Sequence, residues 1–227
     1  MFEMIDLSPI WLSLRLALIT TLILLLIGIP VAYWLSRKSS WIKLVVEALI
    51  TMPLVLPPSV LGFYLLLAFS PNNGPGKWLH EHFDIQLVFS FEGLVIASII
   101  YSLPFMISPV KSAFAHLPVS ISEASYTMGK SKTQTFFKIL IPNISGSILT
   151  AAVLTFAHTL GEFGVVLMIG GNIPGQTKVA SIAIYDAVEQ MDYASANCYS
   201  LVLFAITFII VIAVFVFNKR AAKSPFE

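Results

Sequence analysis

Three clusters in this 227-residue chain carry the residue types of a binding or reactive site. The first is Ala124-Ser-Tyr-Thr-Met-Gly129-Lys130-Ser131, which ends like a phosphate-binding loop but has alanine for the leading glycine. Such a loop cradles phosphate only between a buried strand and a helix. Here Leu117-Pro-Val-Ser-Ile-Ser122 precedes it and no strand–helix alternation occurs, so nucleotide binding is not expected. The second is His80-Glu-His82 with Asp84, all of them metal-ligating types. It follows Pro71-Asn-Asn-Gly-Pro-Gly76, a composition that reads as a solvated loop. The third is His158 with Glu162, which would share a face on a continuous helix. An ionisable residue inside an apolar segment is a functional candidate by default. A fixed carboxylate would repel an anion, so Glu162 is either a gate element paired with His158 or backbone amides, or lies off the path. No nucleophile elbow, His-Glu-x-x-His helix or paired catalytic carboxylates appear, and the single cysteine, Cys198, excludes an internal disulfide and a thiolate cluster. The expectation is a non-catalytic chain without metal or cofactor.

A short polar module must position the first cluster. Ser120-Ile-Ser-Glu123 has the pattern of a capping box, in which each end of a helical turn satisfies the other's amide. Ile121, Ala124, Ser125 and Met128 then fall on one face. Gly129 is placed to stop the helix in the left-handed region. Ser131-Lys-Thr-Gln134 is a second capping box, opening a further helix at Phe136 and Phe137. So short a helix is not stable alone, and its apolar face suits a partner. The alternative, a helix lying on lipid, usually comes longer and richer in Lys and Arg.

The rest of the chain is 57% hydrophobic and 11% charged, against about 25% charged in soluble domains. Its mean hydropathy is +0.88, and lipid must cover the excess apolar surface. A net charge of +1 argues for neither nucleic acid nor an anionic surface as partner. No cleavable signal peptide is expected, because Glu3 and Asp6 stand where a signal is basic and the first apolar run is too long. A span needs about 20 largely apolar residues. Five segments qualify, at 11–36, 44–69, 93–113, 137–160 and 199–217, and form one transmembrane domain over 1–227. The fold class expected is all-α, a polytopic helix bundle. Pro53, Pro57 and Pro58 should kink or break the second span, with Pro104 and Pro109 in the third and Pro142 early in the fourth. Broken helices persist in lipid where neighbouring protein or a wet cavity satisfies the freed carbonyls. They point to a bundle around a pathway, although membrane helices also tolerate proline without one.

Basic residues set the orientation. Arg37, Lys38 and Lys43 follow span one; Lys111, Lys130, Lys132 and Lys138 lie between spans three and four; Lys219, Arg220 and Lys223 follow span five. Only Arg15, which should snorkel outward, Lys77 and Lys178 fall elsewhere, while most acidic residues lie on the opposite side. The N-terminus is therefore expected outside and the C-terminus inside, with a cytoplasmic loop at 115–136 and an external segment at 160–190. Apolar, Gly-rich 161–176 could dip into the membrane.

Glu123-Ala-Ser with Gly129 and then Ile139-Leu-Ile-Pro142 resembles the EAA loop of ABC importer permeases. Leu54-Val-Leu-Pro-Pro58-Ser-Val-Leu-Gly62, Leu160-Gly-Glu-Phe-Gly164 and Asn172-Ile-Pro-Gly-Gln-Thr177 are similar to the molybdate permeases of that class, from about Leu12 to Phe217. The sulfate/thiosulfate permeases are the nearest confusable group. Ser125 replaces a second alanine, and His158 stands where relatives commonly carry arginine. The resemblance implies an inner-membrane, multi-pass permease homodimer in the type I importer fold. Its partners would be two cytoplasmic ATPase subunits, which hydrolyse the ATP, and an external binding protein that delivers molybdate, tungstate or sulfate. It implies that Glu123, Ala124, Ser125, Met128, Gly129 and Pro142 couple to the ATPase. Pro57, Pro58, Gly161, Glu162, Phe163 and Gly164 would form the gate or pathway. A self-sufficient secondary transporter would show internal repeats or a chain of intramembrane ionisable residues, and neither is visible.

Overall fold

The computed structural model describes residues 6–38 and 40–222, with the backbone alone at 215 and 217–222. Glu3 and Lys223 lie outside the described residues, as do the side chains of Lys219 and Arg220. The described residues form helices and turns and no strand.

Three helices are long and apolar enough to cross a membrane alone: α1 (Ser8–Ser36), α5 (Phe91–His116) and the Tyr193–Val214 part of α12 (Tyr193–Ala222). Two bent pairs of helices are long and apolar enough together, each either a broken span or a loop that re-enters on its own side. In the first, α2 (Trp41–Val55) stops at Leu56, because a residue before proline is pushed out of the helical region. Pro57 is extended at φ −55°, ψ 136°, and α3 (Pro58–Phe69) restarts behind it. The pair Trp41–Val55 and Pro58–Phe83 bends by 117°. In the second, α7 (Lys132–Thr135) widens into a π-helical stretch at Phe136–Leu140, followed by α8 (Ile141–Asn143) and α9 (Ser145–Gly161). Pro142 supplies the cause, since its ring clashes with the carbonyl four residues back and it has no amide to donate. The Ile141 amide reaches back five residues to the Phe136 carbonyl. The chain then bends by 73° into α9.

Several expected boundaries move. The span edges extend by a few residues, and the fourth begins inside the segment read as a loop, at Lys132. Residues 74–83, expected as a solvated loop, form α4 (Gly74–Phe83), which carries Lys77 and Glu81 one turn apart at 3.7 Å. The short helix α6 (Val119–Thr127) starts directly behind Pro118, so Ser120 sits inside its first turn and caps nothing.

The core lies where α1, α5 and α9 cross, around Leu24, Ala32, Met106, Val110 and Ala151. Small residues permit the approach, as membrane helices require: a Cβ on Gly28 would stand 2.8 Å from Met106 Cγ. A second cluster joins α1 and α5 to α10 (Gly164–Gly170) and α11 (Ala180–Glu189) through Leu16, Leu94, Val166 and Ile182.

Candidate functional site

The chain after α9 turns sharply at Glu162, whose backbone is extended at φ −66°, ψ 130°. That turn ends the helix before Glu162 could align with His158, so of the alternatives for Glu162 the pairing with His158 does not form. His158 instead stacks on Phe105, centroids 4.0 Å apart, and leans on Tyr101 at 4.9 Å. Glu162 is 4% exposed and its Oε2 accepts a 2.9 Å hydrogen bond from Ser98 Oγ of α5. Its carbonyl accepts from Ser181 Oγ of α11 at 2.6 Å. One turn along α5 and α9, Ser102 and Thr159 are hydrogen-bonded at 3.0 Å. The turn is therefore fastened to two helices by polar contacts inside an apolar bundle.

Close packing fastens it to a third. A Cβ on Gly164 would lie 2.7 Å from Pro58 Cβ, and one on Gly62 would lie 3.2 Å from the Val165 Cα. The proline break of α2–α3 and the glycine turn of α9–α10 thus meet face to face. Between them opens a cavity of about 670 Å³ lined by Pro58, Gly161, Glu162, Phe163 and Gly164, with Tyr101 and His158 on its wall. Five of the six residues expected at a gate share this one cavity; Pro57 makes the break but does not line it. Sequence reading missed Ser98, Tyr101 and Ser181. The signal for Ser98 was a serine pair, 98 and 102, one turn apart on an apolar helix.

Beyond the turn, α10 leads into an exposed loop at 171–178. Thr177 Oγ1 donates to the Gly170 carbonyl at 2.6 Å and accepts from the Ile173 amide at 3.2 Å. Asn172 Nδ2 donates to both oxygens of Asp186 at 2.7 Å, and Lys178 pairs with the same carboxylate. Burial works to raise the Asp186 carboxyl, but these hydrogen bonds and the lysine charge outweigh it and hold it below the ordinary range.

At the opposite end stands the second candidate region. Gly129 has φ +75°, and the Lys130 amide reaches the Ser125 carbonyl while the Gly129 amide reaches that of Tyr126. This is a Schellman stop, and glycine fits the left-handed position without strain. The capping box at Ser131 and Gln134 forms in both directions. The four-residue face divides, however. Ser125 is 2% exposed and its hydroxyl bonds Thr135 at 2.7 Å, and Ile121 packs on the core. Ala124, Glu123 and Met128 are exposed, Met128 at 73%, together with Val119. The serine in place of alanine is thus an internal tie to α7. Pro142 lies exposed behind the π-helical stretch.

The other clusters stay apart. His80 and Asp84 are 3.7 Å apart on exposed α4, and no group of three metal-ligating residues occurs among the described residues. The Gly129-Lys-Ser segment is a helix stop without a preceding strand. Arg15 rests its guanidinium over Phe91 at 4.7 Å.

The family model of binding-protein-dependent transport system inner membrane components matches residues 14–224. The chain is 44% identical over 211 residues to the molybdenum transport system permease protein ModB of Azotobacter vinelandii, covering 92% of this chain and 93% of that one. It is 30% identical over 196 residues to the sulfate transport system permease protein CysT of Escherichia coli, covering 86% and 70%. Among solved structures, a bacterial alginate ABC transporter in complex with an alginate pentasaccharide-bound periplasmic protein superposes with TM-score 0.79 at 17% identity, over 98% of this chain and 81% of that one.

Proposed function

Because the chain belongs to the binding-protein-dependent transport system inner membrane components, we propose that it forms the molybdate pathway of an ATP-driven importer in the bacterial inner membrane. It is a non-catalytic, multi-pass permease subunit. The observation that carries the cargo is the identity to a molybdenum permease along nearly the full length of both chains. Energy input suits the task, since moving a dianion inward costs about 2.3 kcal/mol per charge per 100 mV of membrane potential.

The partners follow from the same reading. Exposed Glu123 and Ala124 on α6, with Met128 at its C-cap, face a cytoplasmic ATPase subunit, present in two copies. An external binding protein delivers the anion above the 171–178 loop. Two permease chains enclose the pathway on a two-fold axis, with the N-terminus outside, the C-terminus inside and five spans between. The cavity at Pro58 and Gly161–Gly164 is the outer gate, and 164–170 is a segment that enters the membrane without crossing it.

Reconstitution of the permease with its ATPase and binding protein into proteoliposomes tests the reading. ATP-dependent molybdate uptake that tungstate inhibits and sulfate leaves nearly untouched is the expected result. Sulfate uptake at the same rate would move the chain to the sulfate group, and uptake by the permease alone would remove it from ATP-driven importers. Cross-links between the two copies at position 161 should vary with nucleotide state.

A further inference from the structure

The turn after α1 and the first turn of α2 carry Arg37, Lys38 and Lys43 within seven residues, and no carboxylate among the described residues lies within ion-pair distance of any of them. The nearby Glu47 is engaged by Lys111 instead. Aromatic rings hold two of the three cations. The Arg37 guanidinium lies 4.6 Å from the centre of the Tyr33 ring and also donates to its hydroxyl. The Lys43 ammonium lies 5.1 Å from the Trp34 ring and donates to the Trp34 carbonyl. Around them stand large exposed side chains: Trp34 at 44%, Trp41 at 77% and Ile42 at 67%. A protein in water would not leave two tryptophans in the open beside three unpaired cations. At the end of two spans the combination has a physical reading, because tryptophan settles at headgroup depth and basic residues there attract anionic lipid.

We propose that this turn binds the phosphate headgroup of an anionic phospholipid, Arg37 and Lys43 contacting the phosphate while Trp34 and Trp41 lie along the acyl boundary. A zwitterionic lipid offers the same phosphate but adds a cation that the cluster repels, so the preference is for net negative charge. The site also reaches the docking helix. Arg37 and Ser36 form one wall of a 140 Å³ cleft whose other wall includes Val119 and Ser122 of α6. A headgroup held at Arg37 therefore abuts the root of the element that faces the ATPase, and lipid charge acts on coupling. On the orientation proposed above this lipid belongs to the inner leaflet; the binding itself does not rest on that orientation.

The test uses the full chain in nanodiscs of equal phosphatidylcholine and phosphatidylglycerol, with lipids retained after release counted by native mass spectrometry. Wild type should retain phosphatidylglycerol in excess, and Arg37→Gln and Lys43→Gln should each reduce the excess by roughly fivefold, the worth of one cation near a charged surface. Lys77→Gln, on α4, should leave it unchanged. Each variant keeps two of the three cations, and should one fail to fold, raising the salt on wild type alone must collapse the excess. Equal retention of both lipids, or a preference insensitive to salt and to both substitutions, overturns the proposal. So does a variant that keeps the lipid preference but no longer co-purifies with the ATPase, since the cluster would then be a protein contact. Loss of the preference in both variants with normal molybdate uptake would overturn the effect on coupling and leave the permease reading standing.

Discussion

At the scale of residues, the Glu162 side chain has a single hydrogen-bond partner, Ser98 Oγ, among the contacts that fasten its turn. Removing Ser98 Oγ leaves Glu162 Oε2 without its partner, and a buried polar group left unsatisfied costs about 1–3 kcal/mol. Ser98→Ala should therefore lower the thermal midpoint of the purified chain, while Ser98→Ala in a Glu162→Leu background should cost much less. Additive losses in that double-mutant cycle would mean the two side chains do not interact. The glycines beside them should differ sharply. Gly164→Ala drives a Cβ to 2.7 Å from Pro58 Cβ and should destabilise by about 1–3 kcal/mol, whereas Gly161→Ala meets nothing within 4 Å and should be neutral or slightly stabilising. Equal effects of the two would remove the close approach from the account. Pro58 and Glu162 stood out in the sequence because proline and charge interrupt an apolar run, whereas Gly161 and Gly164 were singled out by the family resemblance. Tyr101 did not stand out, because a single tyrosine in a membrane helix looks like any other until its partner across the bundle is known. The serine pair 98 and 102 hints at a polar contact without naming Glu162 and Thr159.

At the scale of elements, periodicity found α6 but misjudged its start and its faces. Pro118 decided the start: it forces Leu117 into the extended region at φ −68°, ψ 129°, ends α5 and lets the next helix begin at once, ahead of the capping box. The face divided because the bundle reaches Ile121 and Ser125 but not the C-cap at Met128. What the sequence did establish is the corner. Gly129→Val must hold a β-branched residue at φ +75°, costing on the order of 1–3 kcal/mol locally although the Cβ itself meets no neighbour. The expected phenotype is a membrane-inserted chain with impaired ATPase co-purification or stimulated turnover, shared by Glu123→Ala. Normal coupling in both would make the segment a mere connection. The 171–178 loop behaves differently, since it depends on a carboxylate. Asp186 has a folded-state pKa below its ordinary value, so its stabilisation is complete above the unfolded value and fades as pH falls through the lower folded one. The 171–178 loop should keep its protease resistance at neutral and mildly acidic pH and lose it only in strong acid. Asp186→Asn should lose it at every pH; resistance unchanged in that variant would mean that Thr177 alone secures the loop.

At the scale of the whole molecule, the two candidate regions must lie on opposite sides of the membrane if one is to drive the other. Three unbroken spans and two bent pairs supply an odd number of crossings, if each bent pair counts as one. Composition predicts five crossings, which holds only on that condition, while the prolines located both breaks. The angles were not readable, because 117° and 73° depend on what each half packs against, α3 on α10 and α9 on α5. An odd count fixes relative sides. Position 75, at the start of α4, should face the compartment that holds the N-terminus, and position 131, between α6 and α7, the other. With Cys198 replaced by alanine, cysteine at 75 should react with an impermeant reagent from outside intact cells, and cysteine at 131 only after the membrane is opened. Cysteine at 175, in the 171–178 loop, should also react from outside; labelling there only after the membrane is opened would make the pair Lys132–Asn143 and Ser145–Gly161 a loop that returns to its own side. The gate turn and the docking helix would then share a face, and no movement of α5 or α9 could carry force between them across the bilayer.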